Sequence, residues 1–227
     1  KEITSLIGKF VYYKVTTNGY ELREASADEV DKHFAAIRPA KVQTPKRDLS
    51  VKEIKPLDKI GFEDSAAFGV KATNLATLHT LDFPDGTVPS GHAVPFHFYD
   101  AFMKHNGLYD KARAMLGTES FKENRDEQIK ELKAFRKLVK SGSMPDWMMG
   151  DLAKLQKSFA NGQGIRCRSS TNNEDLPDFS GAGLYDSFTH KSDEGHLAKT
   201  IKQVFASLWN FRAFEERTFY RIDHFTT

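Results

Sequence analysis

The chain has 227 residues, 39% of them hydrophobic and 28% charged, with a mean hydropathy of −0.54, which suits a soluble protein with one sizeable core and excludes disorder and fibre. Thirty-three basic residues against 31 acidic ones leave a formal charge of +2, too even a balance to point to nucleic acid or an anionic membrane. No apolar run approaches the roughly 18 residues of a membrane helix, and the N-terminus lacks the order of a signal peptide, so a cytoplasmic location is expected. The single cysteine, Cys167, excludes an internal disulfide framework and a cysteine-rich zinc site. A chain that starts at Lys1 without methionine reads as a piece of a longer one.

Leu6 to Ala25 is rich in β-branched and aromatic residues and is interrupted by Asn18-Gly19, which predicts a hairpin closed by a two-residue type I′ turn. Ser26-Ala27-Asp28-Glu29 has the spacing of a capping box and opens a short helix through Val30, Phe34 and Ile37, ended by Pro39. These elements make residues 1–40 the end of a small upstream domain. Residues 41–57 shift to Lys, Pro, Gln and Thr without apolar periodicity and read as a linker. Residues 58–227 form the main domain, of α+β class.

Within it, Lys71 to Thr80 carries leucines at helical spacing, and turns at Pro84-Asp85-Gly86 and Pro89-Ser90-Gly91 precede a helix opened by Pro95. Ile129, Leu132, Phe135, Leu138 and Val139 line one face of a charged helix. Leu152, Leu155 and Phe159 line another, ended by Asn161-Gly162. Gly164 to Arg168 and Leu184 to Thr189 are strand candidates, and Leu197 to Phe214 reads as one amphipathic helix of four turns. Trp147, Met148, Met149, Trp209 and Phe211 are expected in the core.

The most informative stretch runs from Arg166 to Gly183. A strand ending in arginine hands over to hydroxyls, carboxylates and glycines, which concentrates anion-binding groups where loops carry function. Arginine presents a fixed fork of donors to phosphate oxygens, and glycine lets backbone amides approach a ligand. The same composition also suits an ordinary surface turn. Arg166 and Arg168 are expected on opposite faces, Cys167 as a small buried residue, and Glu174 and Asp175 as caps of a loop or helix start.

Arg168-Ser169-Ser170, Glu174-Asp175-Leu176-Pro177-Asp178 and Ser180-Gly181-Ala182-Gly183 together resemble the R-S-S-x-x-x-E-D-x-P-D-x-S-x-A-G pattern of phosphoenolpyruvate synthases and pyruvate phosphate dikinases. Gly69 to Ala76 is similar to their G-G-K-x-A-x-L-G, Val88 to Val94 to their V-P-x-G-F-x-x, and Val204 to Ala213 to their V-x-A-S-L-F-x-x-R-A. Four blocks in order cover Ile60 to Arg221. The resemblance implies the N-terminal lobe of an ATP-grasp-type nucleotide-binding domain. It also implies transfer of the β-phosphoryl group of ATP to a histidine on a separate domain, and thence to pyruvate or another acceptor. Position by position, it implies that Lys71 contacts ATP phosphates and that Arg168, the one catalytic residue assigned, binds the transferring phosphates. Gly183 and Ser187 would donate from the loop over them. No residue is assigned to a metal; magnesium ligands and adenine contacts are expected in a second lobe, and the acceptor histidine and the pyruvate site in further domains of the same protein. Val70 departs from the second glycine of the pattern, and Gly181 and Leu184 also differ from the commoner residues. Taken alone, Lys71 is a solvated first-turn lysine. The rival reading is a non-catalytic ATP-grasp relic that senses nucleotide or docks a partner.

Overall fold

The structure is a computed structural model that describes residues 3–160, 162–176 and 179–227, with the Asp175 side chain also left out. Asn161, expected to end a helix, and Pro177 and Asp178 of the polar stretch lie outside the described residues. The chain divides into two compact units, Lys1–Lys41 and Val42–Thr227.

In the first unit, β1 (Val11–Thr16) pairs antiparallel with β2 (Gly19–Glu24), and α1 (Ala27–Ile37) follows. The turn differs from the expected one. Thr16 pairs with Gly19, so Thr17 and Asn18 form the loop, and Asn18 does not adopt the positive φ that a type I′ turn demands. Gly19, with φ of 145°, closes the turn as its last residue. The capping box forms in both directions: the Glu29 amide donates to Ser26 Oγ at 3.3 Å and the Ser26 amide to Glu29 Oε2 at 3.0 Å. None of the described residues in this unit is fully buried.

The second unit mixes helices with short antiparallel strand pairs. Its first strand, β3 (Lys55–Pro56), is followed by α2 (Ser65–Phe68) and α3 (Val70–Leu78), and β3 pairs with β4 (His92–Ala93). Of residues 41–57, expected as a linker, Gln43, Asp48 and Leu57 are hydrogen-bonded into this unit. The Gln43 amide donates to Arg221 O at 2.8 Å, the Asp48 amide to Ala66 O at 2.7 Å and the Leu57 amide to Gly91 O at 3.0 Å. Such single contacts carry no periodicity, so the sequence does not announce them.

A helical layer follows: α4 (Phe96–His105), α5 (Leu108–Gly117), α6 (Glu119–Glu123), α7 (Arg125–Ser141) and α8 (Asp146–Lys157). Next come β5 (Ile165–Cys167), the hairpin β6 (Asp175–Leu176) and β7 (Phe179–Ser180), and β8 (Phe188–His190), which pairs back onto β5. The chain then forms α9 (Ala198–Ser207) and α10 (Phe211–Phe219).

The main core joins α4, α5, α7, α8 and α9 through Phe98, Phe102, Leu108, Leu132, Phe135, Met148, Leu152 and Ile201. Trp209 is buried there, edge-on to Phe135 at 4.8 Å between centroids, and its indole N–H donates to the Tyr99 hydroxyl at 2.9 Å. Three expectations shift. Ile129 and Leu138 stay exposed, because Leu132, Phe135 and Val139 already fill the inward stripe of α7. Trp147 is largely exposed and packs edge-on against Phe98, while its neighbour Met148 is fully buried. The single helix expected over 197–214 is two helices. Asn210 is extended, with ψ of 150°, and its side chain caps α10 by accepting from the Ala213 amide at 2.7 Å.

Candidate functional site

The site is assembled where the start of α3 meets the loop after β5. Gly69, between α2 and α3, has φ of 83° and ψ of 159°, a combination essentially reserved for glycine. A side chain there would also collide with the main chain of Ser170, whose carbonyl carbon lies 2.5 Å from the position of a β-carbon. The close approach made possible is used at once. The Val70 amide donates to Thr171 O at 3.0 Å and the Ala72 amide to Ser170 Oγ at 2.9 Å, so two of the otherwise unpartnered N–H groups of α3 are taken by the loop. The glycine that must be a glycine is thus Gly69. Val70 needs no such freedom, and its departure from the G-G-K pattern leaves the junction intact.

Lys71 follows in the first turn. Its ammonium donates to Ser169 O and to Glu174 Oε1, both at 2.9 Å, bridging 98 and 103 residues of sequence. The lysine is therefore not a free, solvated side chain. Glu174, expected as a cap, brings its carboxylate to this amine. The Ser169 hydroxyl is buried and has no partner among the described residues.

Arg168 immediately follows β5. Ile165, Arg166 and Cys167 pair with His190, Thr189 and Phe188, so Arg168 and Ser187 are the next residues of the chain at the same end of that ladder. Arg166 and Arg168 are both exposed, whereas Ile165 and Cys167 are buried. This corrects the expectation of opposite faces, since residues two apart on a strand share one face. They differ in their engagement: Arg166 donates to Thr189 Oγ1 at 3.0 Å, while Arg168 makes no hydrogen bond or ion pair among the described residues. Burial pushes the Cys167 thiol up to about 11, against an opposing pull from Arg166, so it is protonated at neutral pH and no nucleophile.

The turn after β7 carries the remaining two expected residues. The Gly181 amide donates to Glu174 O at 3.0 Å, and the Leu184 amide to Gly181 O at 3.3 Å. Gly183 sits exposed in this turn with φ of 74° and open space around its α-carbon. Ser187 is half-buried and its hydroxyl has no described partner. Behind them runs a buried polar network that the sequence did not reveal. The Tyr185 hydroxyl donates to Asn173 Oδ1 at 3.1 Å and accepts from Arg217 Nη1 at 3.2 Å, and Thr171 Oγ1 also donates to Asn173 Oδ1, at 2.7 Å. Asn173 belongs to the loop after Arg168 and Tyr185 to the turn with Gly183, so this network ties the two loops together. The nearest sequence signal was the pair Asn172-Asn173 within a polar stretch, which does not distinguish a buried amide from an exposed one.

The structure thus joins Lys71 by direct contacts to the loop that begins at Arg168, and brings Arg168 and Ser187 to one end of a strand ladder. Gly183 shares no hydrogen bond with either. Among the described residues, no group of three or more His, Cys, Asp or Glu side chains is placed to hold a metal.

The model of the pyruvate phosphate dikinase AMP/ATP-binding domain matches residues 65–227. The chain belongs to this family. The matched span opens at the first residue of α2 and contains Lys71, Arg168, Gly183 and Ser187, while the first unit lies outside it. Among relatives of the family, the phosphoenolpyruvate synthase of Pseudomonas aeruginosa is 29% identical over 178 residues, which are 77% of this chain and 22% of the relative. That of Aquifex aeolicus is 30% identical over 179 residues, covering 74% of this chain and 20% of the relative. The probable phosphoenolpyruvate synthase of Methanocaldococcus jannaschii is 29% identical over 189 residues, covering 81% and 16%. The chain therefore spans about a fifth of the length of these curated relatives. Among the described residues, no helix is long and apolar enough to cross a membrane.

Proposed function

We propose that this chain is the ATP-binding part of a phosphotransferase of the phosphoenolpyruvate synthase and pyruvate phosphate dikinase type, built as the first lobe of an ATP-grasp-like domain. Lys71 and Arg168 neutralise phosphate oxygens, and the Gly183 amide and the Ser187 hydroxyl donate to them. Phosphoryl transfer asks a protein mainly for positioning and for stabilisation of charge on oxygen, which is what two cations and two neutral donors supply. Within a longer protein the β-phosphoryl group would pass to a histidine of another domain and on to pyruvate or a different acceptor. The 227-residue chain alone binds without turnover. The magnesium ligands and the adenine contacts belong to a second lobe of the longer protein. The protein acts in the cytoplasm.

One observation carries this reading: the first turn of α3, which carries Lys71, and the Arg168 loop, nearly a hundred residues apart, are fastened together by four hydrogen bonds. Arg166, which donates to Thr189, provides a control beside Arg168, which has no partner among the described residues. Calorimetric titration with ATP should give saturable binding that Arg168→Ala abolishes and Arg166→Ala leaves within about twofold, the scale of a surface contact. Equal losses in both variants would remove the assignment of Arg168.

A further inference from the structure

Lys71 is gripped at both ends by one stretch of chain. Its own helix turn is fixed by Thr171 O on the Val70 amide and by Ser170 Oγ on the Ala72 amide, and its ammonium by Ser169 O and Glu174 Oε1. An ammonium has three N–H donors, and two of them are committed here. The two side chains of the ion pair are unequal in exposure. Glu174 is 9% exposed and Lys71 43%, so the carboxylate lies inside and the amine presents its remaining side to solvent. Glu174 is itself anchored, since its carbonyl accepts from the Gly181 amide and a β-carbon on Gly181 would sit only 3.0 Å from the Glu174 α-carbon.

From this geometry we infer that Glu174 is a positioning residue for the phosphate site: it holds the Lys71 ammonium against the Ser169 carbonyl and leaves one N–H for a phosphate oxygen. This deepens the ATP reading above and rests on it. A lysine free to swing would have to give up its rotamer freedom when phosphate arrives, whereas a pinned one has already done so. Phosphate is therefore met by Lys71 in place. The pair is neutral overall, which leaves Arg168 to supply the net positive charge.

The test uses the 227-residue chain as wild type, Glu174→Gln and Glu174→Ala, with melting curves to establish that each is folded. The first readout is the acylation rate of Lys71 by N-hydroxysuccinimide acetate, followed by peptide mass spectrometry against exposed Lys14 of the same molecule. Losing the carboxylate should raise the Lys71 rate relative to Lys14 about fivefold or more in Glu174→Ala, with a smaller rise in Glu174→Gln, whose amide oxygen still accepts. Equal rates in all three folded proteins would overturn the positioning role. The second readout is ATP affinity by calorimetry, expected to fall about tenfold in Glu174→Ala and to be restored to within about threefold by Glu174→Gln. Glu174→Gln binding as poorly as Glu174→Ala would also overturn it. A wild-type chain that binds no ATP removes the nucleotide reading, and the acylation rates still decide whether Glu174 holds Lys71.

Discussion

A β-carbon added to Gly69 would lie 2.5 Å from Ser170 Oγ, although 101 positions separate the two residues in the chain. Helix α3 can begin where it does because nothing projects from Gly69, and the loop after β5 fills that space to reach the helix amides. The relationship places Lys71 beside the loop of Arg168, so it governs the site as much as the fold.

Gly69→Ala is predicted to be severely destabilising. It combines a backbone conformation that costs a side chain about 1–3 kcal/mol with a clash against main chain that cannot rotate away. The melting temperature of the second unit should fall, and ATP binding should weaken even below the melting range. An unchanged melting curve would show that the loop is not held against Gly69.

Tyr185→Phe tests the buried network. The ring keeps its volume, so no cavity forms, but Arg217 Nη1 loses the hydroxyl it donates to and Asn173 loses a donor. Leaving buried polar groups unpaired costs about 1–3 kcal/mol, read as a lower urea midpoint with an unchanged slope. A midpoint equal to wild type would mean that Arg217 and Asn173 find other partners readily.

What the sequence made legible was mostly local. Ser26 and Glu29 stand three residues apart and satisfy each other, so the start of α1 follows from four letters. The Arg168 loop stood out in the sequence because arginine, serines and glycines are adjacent in the chain. Its partners were not, since the contact of Glu174 with Lys71 and that of Tyr185 with Arg217 depend on how distant elements pack. The apparent single helix over 197–214 failed for a related reason: Val204, Phe205 and Trp209 before the Asn210 cap and Phe214 after it all face the core, and an apolar stripe does not record where its backbone turns. The hairpin was foreseen, but its turn was displaced by one residue, because pairing of Thr16 with Gly19 leaves Asn18 inside the loop without the positive φ expected of it.

His224 gives the chain a predicted pH dependence. It stacks on Phe214 at 4.4 Å, and its Nδ1 accepts from Arg217 Nε at 3.2 Å, a bond that only the neutral ring can make. Burial, with the neighbouring Arg217 charge, holds it down to about 3 from an ordinary value of 6.5. The unfolded chain therefore takes up a proton that the folded chain refuses, and the stability present above pH 6.5 is lost as pH falls from there toward 3. Urea midpoints at pH 7, 5.5 and 4.5 should fall more steeply for wild type than for His224→Asn, which keeps an acceptor without the titration. Parallel declines would place the acid sensitivity elsewhere.

The most direct test of the account is calorimetric titration of the 227-residue chain with ATP, with and without magnesium, beside a Lys71→Ala, Arg168→Ala double variant. Saturable binding that disappears in the folded double variant is the predicted result, and it would place the nucleotide phosphates between the first turn of α3 and the end of β5. Binding of equal strength in the double variant would contradict the account, because the nucleotide would then be held by residues other than the two cations on which it depends.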